Sequence, residues 1–509
     1  MPHIKNFMIN NTVNVTVNGE RITCPAGRTL AEIIKGEQPC GGHGRCGKCK
    51  VIVKGNVSEP CETELELLSK DELSRGIRLA CLTYAHGDCE IETVPGTREA
   101  QIVTASALPE FELHPTFSEY GAAIDIGTTT LAARLYDARG NMLAEATCLN
   151  SQSAYGADVI SRIESALNGK AHELAIAIRA DVNNIIHALA SSAKIPAQHI
   201  QSVVITGNTV MLSLLTAQDV EPFSHAPFKA ERLFGETLTA RELGLSSLNS
   251  DTEVYLPPCI SAFVGADTVC ALLATKLDQY DTSMLVDIGT NGEMALWHNG
   301  HLTVCSTAAG PAFEGVGISM GMRGETGAID KVTFDNGKLT ANVIGGGAAT
   351  GICGSGLVDA VAYMLDMEIL DESGTMEYEP FSVKPPVRIM QGDIRMLQLA
   401  KSAICAGLLT LIDSVGLDTS DIPLLYIAGG FGNYLNKQNA AKIGLLPTAL
   451  ANSCQTVGNA ALGGASMLLL NTGLRVTATQ LASTAKTLDL ATSKIFSEHY
   501  MFGMMFEEI

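Results

Sequence analysis

GAAIDIGTTTLAARLYDARGNML, residues 121–143, has a second version in MLVDIGTNGEMALWHNGHLT, residues 284–303. Both carry Asp-Ile-Gly-Thr, at 125–128 and 287–290, with an apolar run before it and another after it. Each then reaches a turn, Asp137–Asn141 in one and His298–Gly300 in the other. A lone D-x-G-T is weak evidence, because it occurs by chance in turns. Two copies 162 residues apart with matching flanks predict two similar lobes facing each other. The residue types suit phosphate. An Asp at the end of a buried strand can hold a magnesium-bound water, and the Gly-Thr turn offers amides and a hydroxyl to phosphate oxygens. The candidates are Asp125, Gly127, Thr128 and Thr129 in the first copy, and Asp287, Gly289, Thr290 and Asn291 in the second.

A third glycine-rich turn follows a strand in LLYIAGGFGNYL (424–435). Gly429, Gly430 and Gly432 would let the backbone pass close to a flat ligand such as adenine and ribose, the alternative being an ordinary strand-to-helix turn. VVITGNTVMLSLL (203–215) and TGICGSGLVDAVAYML (350–365) each pair a turn with a helix. VGNAALGGASMLLL (457–470) reads as a helix with a small-residue face, suited to close packing between lobes.

Upstream the character changes. Seven of the fourteen cysteines fall in the first 95 residues: Cys24, Cys40, Cys46, Cys49, Cys61, Cys81 and Cys89. Residues 1–95 carry 11 Lys and Arg against 12 Asp and Glu, so nearly all of the net charge of −20 belongs to the remainder. The boundary candidate is PGTREAQIVTASALPEFELHPTFS (95–118), with three prolines and no sustained periodicity. The expected organisation is a small domain over 1–95, a linker over 96–118 and a two-lobed domain over 119–509.

In the small domain, VNVTVNG (13–19) alternates as a strand, and Asn18-Gly19 turns it into a second near Arg21–Cys24. Thr29 can cap a helix over 30–35. KVIVK (50–54) and CEIETV (89–94) read as strands and ELELLSKDEL (64–73) as a helix, which fits an α+β domain. The loop between, PCGGHGRCGKC (39–49), holds two decoys. Gly42, Gly44 and Gly47 match G-x-G-x-x-G, but a strand follows where the dinucleotide motif needs a helix. Gly42 to Lys48 approaches a phosphate-binding loop, yet Cys49 stands in the Ser/Thr position.

The cysteine spacing explains the loop better. Cys40-x5-Cys46-x2-Cys49, with Cys81 after 31 further residues, follows the three-plus-one layout of a plant-type [2Fe–2S] site. A four-cysteine zinc site and buried thiols are the alternatives, although zinc usually takes two close pairs. Cys61 or Cys89 could stand in for Cys81 as fourth ligand. Cys24 reads as a core thiol, and His43 as a spacer in the loop rather than a ligand.

Composition narrows the class. With 46% hydrophobic and 17% charged residues, the 509-residue chain has the make-up of a folded protein. Its pI near 5.0 argues against nucleic acid as a partner, because a phosphate backbone demands a basic face. No apolar run approaches the ~18 residues of a membrane span, and no signal-peptide pattern is visible. The expected compartment is therefore the cytoplasm, with no membrane partner.

The small domain resembles plant-type and vertebrate-type ferredoxins, in particular the C-x5-C variant appended to larger redox enzymes. That resemblance implies a β-grasp-like fold and a one-electron carrier. The larger part resembles the nucleotide-binding fold of acetate and sugar kinases, heat-shock chaperone ATPases and actin. Asp125-Ile-Gly-Thr-Thr is similar to its first phosphate motif, Asp287-Ile-Gly-Thr-Asn to its second, and Ile427-Ala-Gly-Gly-Phe-Gly to its adenosine motif. An α/β actin-like fold is implied, with ATP and Mg2+ between two lobes that open and close.

Joined in one chain, the two modules resemble the reductive activators of corrinoid proteins that serve methyl-transferring enzymes of anaerobes. SRGIRLACLTYAHGDCEIETVP, AGPAFEGVGISMGMRGETGAI, ATGICGSGLVDAVAYML and AGGFGNYLNKQNAAKIGLLP are similar to that family throughout. The resemblance implies ATP-dependent return of a corrinoid from Co(II) to Co(I) by one electron from a [2Fe–2S] cluster. It also implies a corrinoid protein and an upstream electron donor as partners, and a homodimer is among the assemblies open to such a chain. Co(I) is a strong reductant, so the transfer runs uphill, at about 2.3 kcal/mol for each ~100 mV. Some members carry an extra domain between ferredoxin and ATPase, and only the 96–118 segment stands there in this chain.

Two other classes compete. A small-molecule kinase with an accessory cluster needs a base beside the acceptor hydroxyl, and the sequence singles none out. Glu314 in GPAFEG is a candidate for positioning water, with a buried hydrogen-bonded carboxylate as the alternative. An electron carrier with a non-hydrolysing nucleotide scaffold would lose its phosphate turns, and these are intact. Radical-dehydratase activators hold a [4Fe–4S] cluster through cysteines inside the ATPase fold; Cys353 reads instead as a core thiol.

Overall fold

The computed structural model describes residues 12–34, 44, 47, 49–93, 108–335 and 338–509. The chain divides into two compact units, Met1–Arg98 with Ser151–Lys170, and Glu99–Asn150 with Ala171–Ile509.

In the first unit, β1 (Thr12–Val17) and β2 (Glu20–Pro25) form the expected hairpin. Asn18 and Gly19 both take positive φ, 48° and 91°, the geometry that matches the twist of the flanking strands. Thr29 caps the helix Leu30–Ile34: its Oγ1 accepts from Glu32 N at 3.3 Å, and Glu32 accepts from Thr29 N at 3.3 Å. β3 (Lys50–Val57), β4 (Ile77–Leu79) and β5 (Ala85–Thr93) complete a sheet of order β2-β1-β5-β3-β4. β1 and β5 run parallel at its centre, the arrangement of a β-grasp. Val13, Val15, Val51, Val53 and Ile91 pack on Leu30, Ala31 and Ile33 of the helix.

The single helix expected over 64–73 is two, Glu62–Leu67 and Lys70–Ser74. Leu68 turns inward at 3% exposure, and Ser69 starts the second helix by accepting from Glu72 N at 3.2 Å. Ser151–Lys170 carries a helix of its own, Val159–Ser165, capped by Asp158, which accepts from Ser161 N at 2.7 Å.

The second unit is built on two six-stranded sheets. The first contains β6 (Tyr120–Ile126), β7 (Thr130–Asp137), β8 (Met142–Leu149), β9 (Ile200–Gly207), β10 (Glu236–Thr239) and β11 (Glu253–Leu256), in the order β10-β11-β9-β6-β7-β8. β12 (Thr282–Ile288), β13 (Gly292–His298) and β14 (His301–Thr307) open the second. Two small sheets follow, β15 (Ala328–Asp335), β16 (Lys338–Val343) and β17 (Gly351–Ile352), then β18 (Phe381–Lys384) and β19 (Val387–Ile389). β20 (Leu425–Ala428), β21 (Cys454–Gly458) and β22 (Lys486–Thr487) close the second sheet as β21-β20-β12-β13-β14-β22.

The repeat read in the sequence is a repeat of topology. β6 and β12 each open an antiparallel meander and each pair in parallel with a later strand, β9 or β20. Asp125 thereby sits between Ala132 and Thr206, and Asp287 between Glu293 and Ala428. Both aspartates stand at the carboxyl end of a central strand, where α/β sheets place their ligands.

Between the sheets lie two helices, Ala266–Thr275 and Ala460–Leu470. One core cluster joins Ala123, Val204 and Tyr255 of the first sheet, residues of both helices, and Leu285, Val304 and Tyr426 of the second. The small-residue face expected over 457–470 is what permits this: a Cβ on Gly464 would lie 1.9 Å from the Cys270 carbonyl oxygen. The helix Gln391–Ser414 is long and apolar enough to cross a membrane, a feature the sequence reading passed over. It is the core helix of the second lobe, with Ile394, Leu397, Ile404, Leu408 and Leu411 fully buried.

Part of the expected linker belongs to the larger unit. His114 N donates to Leu470 O at 2.8 Å, Asn471 Nδ2 donates to Glu112 O at 2.9 Å, and Phe117 is 5% exposed. Residues 94–107 lie outside the described residues.

Candidate functional site

In the first unit, Cys49 immediately precedes β3 and Cys81 follows β4, and pairing of Lys50 with Leu79 sets the two cysteines side by side. Their sulfurs are 3.2 Å apart. Cys40, Cys46 and His43 lie outside the described residues. Of the alternatives for a fourth ligand, Cys61 is exposed. Cys89 is in the core, its thiol pushed up by burial and by nearby Cys24 and Asp88. Cys24, buried in the same core, is the structural thiol expected.

A buried carboxylate organises the turn that carries Cys81. Glu64, wholly inaccessible, accepts from Arg78 Nε at 3.0 Å and Nη2 at 2.8 Å, from Leu79 N at 2.9 Å and from Thr83 Oγ1 at 3.1 Å. Burial alone would raise its pKa, yet Arg78 and the Leu79 and Cys61 amides together hold it below the ordinary value. Arg78 also donates to Ser58 O at 2.7 Å. The segment 78–83 is thus fixed at both ends around Cys81.

In the second unit, the two Asp-Ile-Gly-Thr turns and the third glycine turn line a single cleft of about 300 Å³. Asp125, Gly127, Thr128, Thr129, Asp287, Gly289, Thr290, Asn291, Gly429 and Gly430 all face it. Gly432 is absent from its lining; a Cβ there would lie 2.5 Å from Ile427 Cγ2, so this glycine serves packing under the turn. Gly429 is required in the cleft itself: its φ is +91°, and a Cβ would lie 2.7 Å from Asp287 Oδ1.

Among the polar lining residues that the sequence reading missed are Asp267, Glu293, Asn208, Asn459 and Arg323. Asp267 opens the helix Ala266–Thr275 and accepts from Thr268 N at 2.7 Å. Glu293 faces Asp287 across the β12–β13 hairpin. Asn208 caps the helix Thr209–Leu215 and donates to Thr128 Oγ1 at 3.4 Å. Asn459 caps Ala460–Leu470 and donates to Asp125 Oδ2 at 2.9 Å. Asn208 lies in a segment that read as turn plus helix and Asn459 in one that read as a helix with a small-residue face, where a capping Asn and a ligand-holding Asn look alike.

The acids crowd one another. Burial pushes Asp125 up to about 7, with the charges of Asp267 and Asp287 adding to it and the Asn459 hydrogen bond opposing. Asp287 is likewise pushed to about 7 by burial, Asp267 and Glu314. Asp267 reaches about 6 by burial, and Glu293 is raised well above a normal carboxyl by burial, Asp267 and Asp287. Such a set is relieved by a cation. Among the described residues no three His, Cys, Asp or Glu side chains are grouped as a direct ion site. A donor set of carboxylates is of the kind that a hard cation such as Mg2+ takes.

Matches to known proteins cover the chain in succession. Residues 14–86 match a 2Fe-2S iron-sulfur cluster binding domain, 120–280 the RACo middle region, and 281–508 the C-terminal domain of RACo, the ASKHA domain. The corrinoid activation enzyme RamQ of Eubacterium limosum is 35% identical over 418 residues, which span 76% of this chain and 70% of that one. The chain belongs to the corrinoid activator family. Another relative, the [Co(II) methylated amine-specific corrinoid protein] reductase of Methanosarcina barkeri, is 26% identical over 418 residues, covering 75% of this chain and 76% of the relative. A solved structure described as a reductive activator for corrinoid, iron-sulfur protein matches at a TM-score of 0.72 and 28% identity, over 97% of this chain and 98% of that one.

As a member of that family the chain has a ferredoxin-type [2Fe–2S] domain followed by an actin-like nucleotide-binding fold, as its sequence led one to expect. Cys353 is the buried thiol expected, donating to Ile329 O at 3.4 Å.

Proposed function

We propose that this corrinoid-activator family member returns the cobalt of a partner corrinoid protein from inactive Co(II) to Co(I), by one electron, at the expense of ATP. The observation that carries the reading is the joining in one chain of a paired-thiol ferredoxin sheet and a cleft lined by two phosphate turns and an adenosine turn. Cys40, Cys46, Cys49 and Cys81 would hold the [2Fe–2S] cluster; Cys49 and Cys81, 3.2 Å apart, fit two thiolates on one iron. When bound, a cluster of this kind takes up and gives back one electron, supplied by an upstream donor.

In the cleft, Asp125 and Asp287 would fix waters of Mg2+, and Asp267 and Glu293 supply further negative charge. Gly127, Thr128 and Thr129 would meet the phosphates from one lobe and Gly289, Thr290 and Asn291 from the other. Gly429 and Gly430 would let the adenosine lie against bare backbone. Binding that engages turns from both lobes favours their closed arrangement, and only such a difference between states lets ATP drive an uphill transfer.

The test uses the anaerobically reconstituted full chain and its Cys49→Ser variant. The wild type should show [2Fe–2S] visible absorption and reduce a Co(II) corrinoid protein when Mg·ATP is added. C49S should lose normal cluster absorption and corrinoid reduction while binding ATP as before. A C49S protein that still reduces the corrinoid at the wild-type rate overturns the reading.

A further inference from the structure

The two phosphate turns are held together by one side chain. Thr129 Oγ1 donates to Glu314 Oε2 at 2.7 Å, and Thr290 Oγ1 donates to Glu314 Oε1 at 2.7 Å. Thr129 belongs to the first lobe and Thr290 to the second, so Glu314 spans the cleft between them. Its segment is a one-turn helix, Pro311–Glu314, bounded by Gly310 and Gly315. Next to Glu314, Phe313 stacks on Phe431 of the adenosine turn, with ring centroids 4.6 Å apart. One short turn thus touches all three nucleotide motifs.

The partners of Glu314 distinguish it from the other acids of the cleft. Asp267 is bonded to the amide and hydroxyl of the adjacent Thr268 and Asp125 to a capping asparagine, neither of them a group of the phosphate turns. Glu314 is bonded to two rotatable hydroxyls, the same two that the phosphate turns would offer to phosphate oxygens. When those hydroxyls turn to a terminal phosphate, both Glu314 oxygens are released beside it as free acceptors. A water there can donate to them.

We propose that Glu314 is the catalytic carboxylate of ATP hydrolysis in this cleft. It orients the attacking water and accepts its proton. The water oxygen bonds to the terminal phosphorus, the bond from that phosphorus to the bridging oxygen breaks, and its electron pair leaves with ADP. The proton passes from Glu314 to solvent after phosphate departs. The assignment rests on the ATP-driven reading above and supplies the hydrolytic residue that reading lacks.

The experiment measures phosphate release and ATP affinity of the full chain, with and without corrinoid protein, in the wild type, Glu314→Gln and Glu314→Ala. Gln is isosteric and can bond both threonines, so E314Q should keep the wild-type unfolding midpoint. Its turnover should fall ~100-fold or more, in the range of lost general-base catalysis, with ATP binding unchanged or a few-fold tighter. E314A should lose as much, and added formate should restore at least ~10-fold by supplying a carboxylate to the vacated space. Hydrolysis by E314Q within ~3-fold of the wild type overturns the assignment alone. So does loss of ATP binding in parallel with turnover, which would make Glu314 a structural link. A wild type that binds ATP and never hydrolyses it overturns both this assignment and ATP-driven activation.

Discussion

Asn459 Nδ2 donates to Asp125 Oδ2 at 2.9 Å, although 334 residues separate them. The asparagine caps the helix that follows β21, at the edge of the second sheet, and the aspartate stands at the end of β6, a central strand of the first. Its hydrogen bond also holds the Asp125 carboxyl down against burial and its acidic neighbours. Asn459→Ala removes a hydrogen bond to a charged group, worth about 1.5–3 kcal/mol. The Mg·ATP dissociation constant, measured by calorimetry, should rise ~10-fold or more while the ferredoxin absorption stays intact. An unchanged constant would remove Asp125 from the nucleotide site.

Glu64 and Arg78 make a pair that is almost entirely buried, at 0% and 7% exposure. Glu64→Ala leaves Arg78 charged and without its carboxylate, at about 3–5 kcal/mol. Because the same carboxylate fixes Leu79 N and Thr83 Oγ1 around Cys81, cluster content should fall with domain stability. Iron and sulfide per chain after anaerobic reconstitution would measure it. Full cluster content in E64A would separate this pair from the cysteine turn.

Lys401 is fully buried and donates to Gly503 O at 2.7 Å and Met505 O at 2.5 Å, pinning the C-terminal segment to the core helix. Burial pushes its pKa down to about 8, below the ordinary 10.5. A depressed pKa means that the unfolded chain binds the extra proton between these values. This group's contribution is therefore fully present above about 10.5 and lost as pH falls through about 8. The stability difference between wild type and Lys401→Met should shift in favour of the wild type as pH rises across that window. Parallel pH profiles of the two unfolding midpoints would contradict it.

The sequence revealed whatever depends on spacing and repetition. Two Asp-Ile-Gly-Thr turns imply two like sheets, and the cysteine intervals imply a ferredoxin loop. What escaped it depends on which distant chain segment arrives at a given point. Asp267 stands in no motif, at the start of the helix Ala266–Thr275, and Glu293 lies three residues past the second Asp-Ile-Gly-Thr; only the fold brings both to the cleft. Asn208 and Asn459 look like helix caps, and are, but each also reaches a residue of the first phosphate motif. Gly432 shows the converse: it belongs to the glycine-rich motif but packs beneath it. The bridge from Glu314 to Thr129 joins residues 185 apart, beyond any local pattern.

The most direct test of ATP-driven corrinoid reduction is the absorption of a Co(II) corrinoid protein mixed anaerobically with the pre-reduced full chain, followed with and without Mg·ATP. The account predicts that Co(I) absorption accumulates only when ATP is present, with none above background when it is withheld. Equal Co(I) formation in both samples, with ATP consumption unaffected by the corrinoid protein, would contradict it.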